Sequence, residues 1–218
     1  MRLVLATGNP GKVAELQPLL AAAGLDLDLV TQRELGIEDA EENGLTFVEN
    51  ALLKARHAAR ASGLPALADD SGLLVDALGG APGLITAHYA GVHGDSKRNI
   101  AKLLRELDGV PEAKRTAHFY SVIVVLRHAD DPQPLIGEGT WHGQVLTAPR
   151  GDGGFGYDPV FFSPAHGCGA AELDAATKNR DSHRGQALAA VLPKLREFLA
   201  ACGSRYGGDA LAGKASPL

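Results

Sequence analysis

Sulfur and aromatic residues are scarce in this chain: 218 residues include two cysteines, one methionine and one tryptophan, and aromatics make up 5%. Cys168 and Cys202 form neither a Cys-x-x-Cys pair nor a Cys/His zinc spacing, which excludes a sequence-evident zinc module. No apolar run approaches the roughly 18 residues that span a bilayer, and the one behind Met1 is too short for a secretory leader. A reducing, cytoplasmic setting away from membranes is the expectation. Basic residues are also in deficit, with 21 Lys and Arg against 26 Asp and Glu and a net charge of −5. That balance disfavours nucleic acid, which wants a basic surface. A small anionic ligand remains compatible with a local basic pocket.

What the chain does have is 45% hydrophobic and 22% charged residues, enough apolar material to collapse into a core. The length suits one domain, or two small lobes around a cleft. Leu3 to Ala6 reads as a buried strand that ends in a Gly/Pro turn, and Val13, Leu16 and Leu20 then recur at helical spacing, with Pro18 as an irritant. Leu25 to Val30 alternates as a half-buried strand does. Thr46 and Glu49 match a capping box ahead of a helix that Gly63-Leu64-Pro65 ends. Ala66 to Ala68 and Leu73 to Val75 read as two short strands separated by Asp69-Asp70-Ser71-Gly72. Asp95 to Leu107 is helical by its i, i+3, i+4, i+7 pattern. Thr116 to Arg127 and Leu135 to Leu146 form a hairpin, and Ser182 to Ala201 is the last helix. The alternation gives an α/β domain with a mixed sheet.

Five segments carry chemistry. Thr7-Gly8-Asn9-Pro10-Gly11-Lys12 joins a strand to a helix, where backbone N–H groups, the helix N-terminus and Lys12 can grip a phosphate; its spacing is not that of a Walker A loop. Asp69 and Asp70 at a strand end suit a hard cation or a general base for water. Glu42 could add a carboxylate, and Lys54 could meet a phosphate. Gly151 to Pro159 packs four glycines and two aromatics into nine residues, so a flat base can approach Phe155, Gly156, Tyr157 and Asp158. Lys178 and Ser182-His183-Arg184 put cations at the start of a helix, against its dipole, which a nearby anion or base carbonyl would relieve.

Each of these also has a bland reading as a turn, a solvated charge or core filling. In combination and in order, LATGNPGKVAEL, EENGLTFVENALLKA, ADDSGLLVDALGGAPG, GGFGYDPVF and AELDAATKNRDSHRGQAL resemble the inosine/xanthosine triphosphate pyrophosphatase family, also called XTP/dITP diphosphatases. The resemblance covers about nine-tenths of the chain. It implies an elongated mixed sheet with flanking helices and two lobes around a central nucleotide-binding cleft over residues 1–202, followed by a disordered tail over 203–218. It also implies a homodimer and a Mg²⁺-dependent cleavage of ITP, dITP or XTP into monophosphate and pyrophosphate, clearing deaminated purines.

Carried over by position, Thr7 through Lys12 grip the triphosphate. Asp70 accepts the proton of the attacking water and binds metal with Glu42. Lys54 and Asp69 line the catalytic centre, and Ser71 touches substrate. Phe155, Gly156, Tyr157 and Asp158 hold the base, and Lys178, His183 and Arg184 complete the pocket. Two positions depart from the family pattern: His88 stands where arginine is usual, and Thr177 where glutamate is frequent. A titratable donor in place of a permanent cation keeps open a related diphosphatase acting on pyrimidine or modified-base triphosphates. A non-catalytic nucleotide-binding module is the other alternative.

Overall fold

A computed structural model describes residues 1–25 and 27–206. The described residues form a seven-stranded sheet in the order β2-β1-β3-β4-β5-β6-β7. The strands are β1 (Arg2–Leu5), β2 (Asp28–Thr31), β3 (Ala66–Val75), β4 (Thr116–Leu126), β5 (Leu135–Val145), β6 (Phe161–Ser163) and β7 (Cys168–Gly169). β1 pairs in parallel with β2 and β3, and every later pairing is antiparallel. The helices are α1 (Pro10–Ala22), α2 (Phe47–Ser62), α3 (Ser96–Glu106), α4 (Ala175–Asp181) and α5 (His183–Tyr206). The α/β class with a mixed sheet is therefore as the sequence indicates. Among the described residues, no helix is long and apolar enough to cross a membrane. The segment expected as a tail from residue 203 begins inside α5, and residues 207–218 lie outside the described residues.

Side chains alternate across a strand, and the sheet is buried on both faces accordingly. Leu3, Leu5, Leu67, Ile123 and Val125 pack against Leu16 and Leu20 of α1 and Leu188, Val191 and Leu195 of α5. Their neighbours Val4, Ala66, Ala68, Val122 and Val124 pack on the other face against Ala51, Ala55, Ala58 and Ala59 of α2. A third cluster, with Leu73, Leu103, Phe119, Trp141 and Phe161, fills the outer half of the sheet. Pro18 is accommodated inside α1, where burial of Leu16 and Leu20, each 1% exposed, outweighs the lost backbone bond.

Local chemistry sets the helix ends. The Asn9 side chain accepts from the N–H of Gly11 at 2.9 Å and of Lys12 at 3.4 Å, capping α1 with Pro10 in its first turn. Thr46 accepts from the Glu49 N–H at 3.3 Å. The Glu49 carboxylate reaches back to the Leu45 N–H and the Thr46 hydroxyl, at 2.8 and 2.9 Å. Gly63 ends α2 in the left-handed conformation, φ 69°.

One expectation is overturned. Ala66–Val75 is a single ten-residue strand, so Asp69 to Gly72 lie in its middle and not in a turn at its end. β4 pairs with it along the whole length, from Ala66 opposite Leu126 to Val75 opposite Ala117, which occupies the backbone polar groups that a turn would have satisfied differently. Gly72 is the point of closest approach to the helical turn Gly83–His88: a Cβ there would lie 2.4 Å from the Gly83 carbonyl and 2.8 Å from Thr86 Oγ1. At the other end of the site, a Cβ on Gly139 would lie 2.0 Å from the His183 carbonyl, so α5 begins directly on β5.

Candidate active site

β1 lies between β2 and β3, so strand order reverses at its C-terminal end. It pairs with β3 only at Val4–Ala66 and Leu5–Leu67. Beyond that point the chain leaves the sheet through Thr7 to Pro10, and β3 continues into Asp69 and Asp70 paired with β4 but not with β1. An open α/β sheet places ligands in such a crevice, and five of the sequence-selected segments meet around it. Within the loop, Thr7 Oγ1 accepts from the Asn9 N–H at 3.1 Å. Gly8 leaves room for the Asp39 carboxylate, which would lie 2.8 Å from a Cβ. Gly11 leaves room for the ring of Phe155, also 2.8 Å from where a Cβ would stand. The two glycine-rich segments, far apart in sequence, are thus in direct contact.

The neighbouring aspartates point to opposite faces of the sheet, as the pleat requires. Asp70 faces α2: its Oδ1 lies 2.6 Å from Lys54 Nζ, and the same Nζ lies 3.2 Å from Glu42 Oε2. Asp69 faces α1 and α5. Its buried carboxylate accepts from Lys12 Nζ at 2.8 Å, Arg184 Nη2 at 3.1 Å and the Ser121 hydroxyl at 2.5 Å. Ser71, on the same face, accepts from Arg184 Nη2 at 2.9 Å. Asp69 and Asp70 therefore have separate sets of partners. Asp70 and Glu42 share Lys54, and Asp69 pairs with Lys12 and Arg184.

The electrostatics follow this division. Burial holds the Asp70 carboxyl above its ordinary value, against the pull of Lys54 and Lys12. Burial would raise Asp69 too, but Arg184 and Lys12 hold it well below the carboxylate range. Burial lowers Lys12 although Asp69 is beside it. Burial also works against Lys54, yet Asp70 and Glu42 together leave its ammonium raised.

Glu15, which the sequence does not single out, proves central to the second face. Its carboxylate takes Lys178 Nζ at 2.6 Å through one oxygen and Arg184 Nη1 through the other. Lys178 also pairs with Asp158 at 2.6 Å. Asp158 in turn accepts the Phe155 N–H at 2.8 Å, so it shapes the glycine-rich loop and is 3% exposed. Burial raises its carboxyl, with Lys178 opposing. Tyr157 turns inward, 3% exposed, and its hydroxyl donates to the Thr86 carbonyl at 3.0 Å. Gly156 supplies a left-handed turn, φ 63°. Of that loop, Phe155 is the member set against Gly11, with Lys178 Nζ 5.0 Å and Arg184 Cζ 5.8 Å from its ring centroid.

The conflict between cations and the α5 dipole is resolved internally. Arg184 is neutralised by Glu15 and Asp69, and burial, with Arg184 adding to it, drives the His183 imidazole well below its ordinary value, so the ring is neutral. His183 stacks on Phe119, centroids 4.8 Å apart at 13°. Its Nδ1 and the Nε of Arg184 are buried without a hydrogen-bond partner, which leaves polar capacity to offer a ligand. His88 stands away from these ion pairs, its ring stacked with that of His93 at 6.5 Å.

Glu42 and Asp70 converge on one ammonium and offer only oxygen donors. Among the described residues no group of three or more His, Cys, Asp or Glu is placed to hold a metal. Two carboxylates with open positions fit Mg²⁺, which keeps several waters, better than a metal that needs a full protein cage.

A family model described as the Ham1 family matches residues 3–194. A dITP/XTP pyrophosphatase of Xanthomonas campestris pv. campestris is 62% identical over 193 residues, 88% of this chain and 96% of that protein. One from Yersinia pseudotuberculosis is 59% identical over 196 residues, 90% and 98% of the two chains. Among solved structures, a HAM1 protein from Coxiella burnetii superimposes with a TM-score of 0.82 at 47% identity, over 90% of this chain and 99% of that one.

Proposed function

The chain belongs to the Ham1 family, and from that premise we propose that it hydrolyses the non-standard purine triphosphates ITP, dITP and XTP to nucleoside monophosphate and pyrophosphate. The observation that carries the reading is the single ammonium of Lys54 holding Asp70 and Glu42 beside the loop Thr7 to Lys12. A nucleotide-gripping loop and a carboxylate pair, on adjoining sides of one crevice, are what a phosphoanhydride hydrolase needs. A pure binding module gains nothing from carboxylates that repel phosphate.

Charge counting supports a divalent ion. The ion pairs of the site join four cations, Lys12, Lys54, Lys178 and Arg184, to five carboxylates, Glu15, Glu42, Asp69, Asp70 and Asp158. A polyanion entering a site with an excess of carboxylate is repelled until that sign is reversed. Glu42 and Asp70 would hold Mg²⁺, which when bound supplies charge neutralisation at the phosphates and lowers the pKa of water.

The chain's own residues do the rest. Lys12, in the first turn of α1 where the helix dipole is positive, binds phosphate oxygens. Asp70, its basicity increased by burial, takes the proton of the attacking water at its carboxylate. Lys54 holds the Asp70 carboxylate in place and bears on the leaving pyrophosphate. Phe155 stacks on the base, and Arg184 with His183 meets its 6-oxo edge. A 6-oxo purine offers an acceptor and an N1 donor where adenine offers the reverse, so groups placed for the first pattern are left unpaired by the second. The same reading makes the protein a cytoplasmic homodimer with no nucleic-acid or membrane partner.

The test is an assay on ITP with ATP and GTP alongside, with Mg²⁺ and with chelator, resolving pyrophosphate from orthophosphate. Pyrophosphate from ITP, dependent on Mg²⁺ and scant from ATP or GTP, supports the proposal. Orthophosphate, or turnover only of pyrimidine or modified-base triphosphates, would replace it.

A further inference from the structure

His166 lies in the tight turn between β6 and β7, in none of the segments that resemble a catalytic motif. Its Nδ1 is 2.8 Å from the buried hydroxyl of Ser163, and its Nε2 is 3.0 Å from Asp181 Oδ2. Asp181 is the last residue of α4; Ser182 and then His183 follow. The Trp141 ring meets that of His166 edge-on, centroids 6.2 Å apart at 86°. Trp141 stacks with Phe119 at 6.3 Å, and Phe119 with His183 at 4.8 Å. The contacts therefore close a circuit: from His166 through Trp141 and Phe119 to His183, and back along the chain through Ser182 and Asp181.

The corner between α4 and α5 has no slack through which this circuit could relax. A Cβ on Gly185 would stand 2.0 Å from the Asn179 carbonyl. The Gln186 amide donates to the Asp181 carbonyl at 2.8 Å, and the Ser182 hydroxyl accepts the Gly185 N–H at 3.3 Å. Among the described residues, the other side-chain contacts of the Asp181 carboxylate come from Arg180, at 2.7 and 2.8 Å, on the exposed side. Without His166, that carboxylate is drawn outward by Arg180 alone.

We propose that His166 is a positioning residue for the base-binding end of the site, holding His183 and Arg184 in place through Asp181 on one side and through Trp141 and Phe119 on the other. The proposal rests on the reading of His183 and Arg184 as base contacts. Asp181 is ionised, its carboxyl pushed down to about 2 by Arg180 and His166. Its acceptor oxygen therefore places a proton on Nε2 of His166, and in the neutral ring Nδ1 accepts from Ser163.

The experiment uses the full-length chain and its single tryptophan, Trp141, as a reporter within the circuit. His166→Ala, His166→Gln and Arg184→Gln are compared for kcat and KM on ITP and ATP, for melting temperature, and for the change in tryptophan emission on adding inosine monophosphate. Loss of one hydrogen bond to a charged group predicts a rise of about tenfold or more in KM for ITP in His166→Ala, with kcat within about twofold. The emission change on nucleotide binding shrinks with it. His166→Gln, which keeps a donor toward Asp181, recovers at least part of both effects.

KM and emission like those of the parent would overturn the proposal. So would a fall in kcat that tracks the melting temperature with KM unchanged, which marks a merely structural residue. Arg184→Gln separates the two levels of the argument. If it loses selectivity for ITP over ATP while His166→Ala is silent, the brace alone fails. If it keeps full selectivity, the base reading fails and the brace with it.

Discussion

Replacing Asp69 and Asp70 one at a time by asparagine should produce opposite phenotypes, although the residues are adjacent and differ by one atom type from their replacements. Asp69 is 1% exposed and compensates Lys12 and Arg184 at 2.8 and 3.1 Å. Breaking a buried ion pair from one side typically costs 3–5 kcal/mol, and Glu15 still answers Arg184, so the lower figure applies: about 3 kcal/mol. For a chain of this length that is a fall in Tm of about 6–12 °C. The sign of the pH dependence follows from the depressed carboxyl. The folded state binds that proton less readily than the unfolded one, so the stability it contributes is full above the unfolded pKa of about 4 and is lost as pH falls. Asp69→Asn should flatten that acid limb.

Asp70 is the reverse case. Burial raises its carboxyl, so its ionised form is a cost of folding, and Lys54 keeps Glu42 as a partner in its absence. Asp70→Asn in chelated buffer should melt within about 3 °C of the parent, or above it. It should nevertheless lose about 10²–10⁴-fold in turnover as a missing general base. Scanning calorimetry across pH and a pyrophosphate-release assay decide the matter. Equal losses of Tm in the two variants, or turnover of Asp70→Asn within tenfold of the parent, would refute the division of the site into two faces.

Three further outcomes are expected. Phe155→Ala should raise KM for ITP by the equivalent of about 1–3 kcal/mol of lost stacking, read from initial rates; an unchanged KM would put the base elsewhere. Gly139→Ala forces a methyl against the His183 carbonyl, 2.0 Å from the ideal Cβ position. It should destabilise by about 1–3 kcal/mol in denaturant melts, and parent-like stability would mean that α5 does not start on β5. Thr46→Ala removes the cap of α2 and should cost about 1 kcal/mol in the same assay, with no effect on KM.

Much of this was legible in the sequence because local and global signals agree. The stripe of Leu188, Val191, Leu195 and Leu199 on α5, the cap at Thr46, and the β-branched run of β4 each specify an element that tertiary packing then keeps. β3 was misread because Asp, Asp, Ser and Gly are turn formers by propensity. In the fold, a ten-residue register with β4 and cationic partners for both carboxylates override that preference. Glu15 was missed for a different reason. Its partners Lys178 and Arg184 stand 163 and 169 residues further along the chain, beyond any window of periodicity. Its one local signal is the i, i+3 relation to Lys12, which puts both on one side of α1. Tyr157 and Asp158 shared a loop with Phe155, and nothing local told ring-stacking from core filling. His166 had no motif around it at all.

The division of labour between Asp69 and Asp70 makes the chemistry of this protein a question of phase. A slip of β3 against its neighbours by a single residue would exchange the two carboxylates, offering Asp69 to Lys54 and Asp70 to Arg184, with the apolar alternation inverted as well. Gly72 acts as the index mark against such a slip. The Gly83 carbonyl, Thr86 and Phe47 all crowd the position where its side chain would be, and a displacement in either direction would bring Ser71 or Leu73 into that space. Insertion or deletion of one residue in β3 is thus a more severe change than most substitutions in it, because it scrambles which carboxylate each cation addresses while leaving every catalytic residue present in the chain.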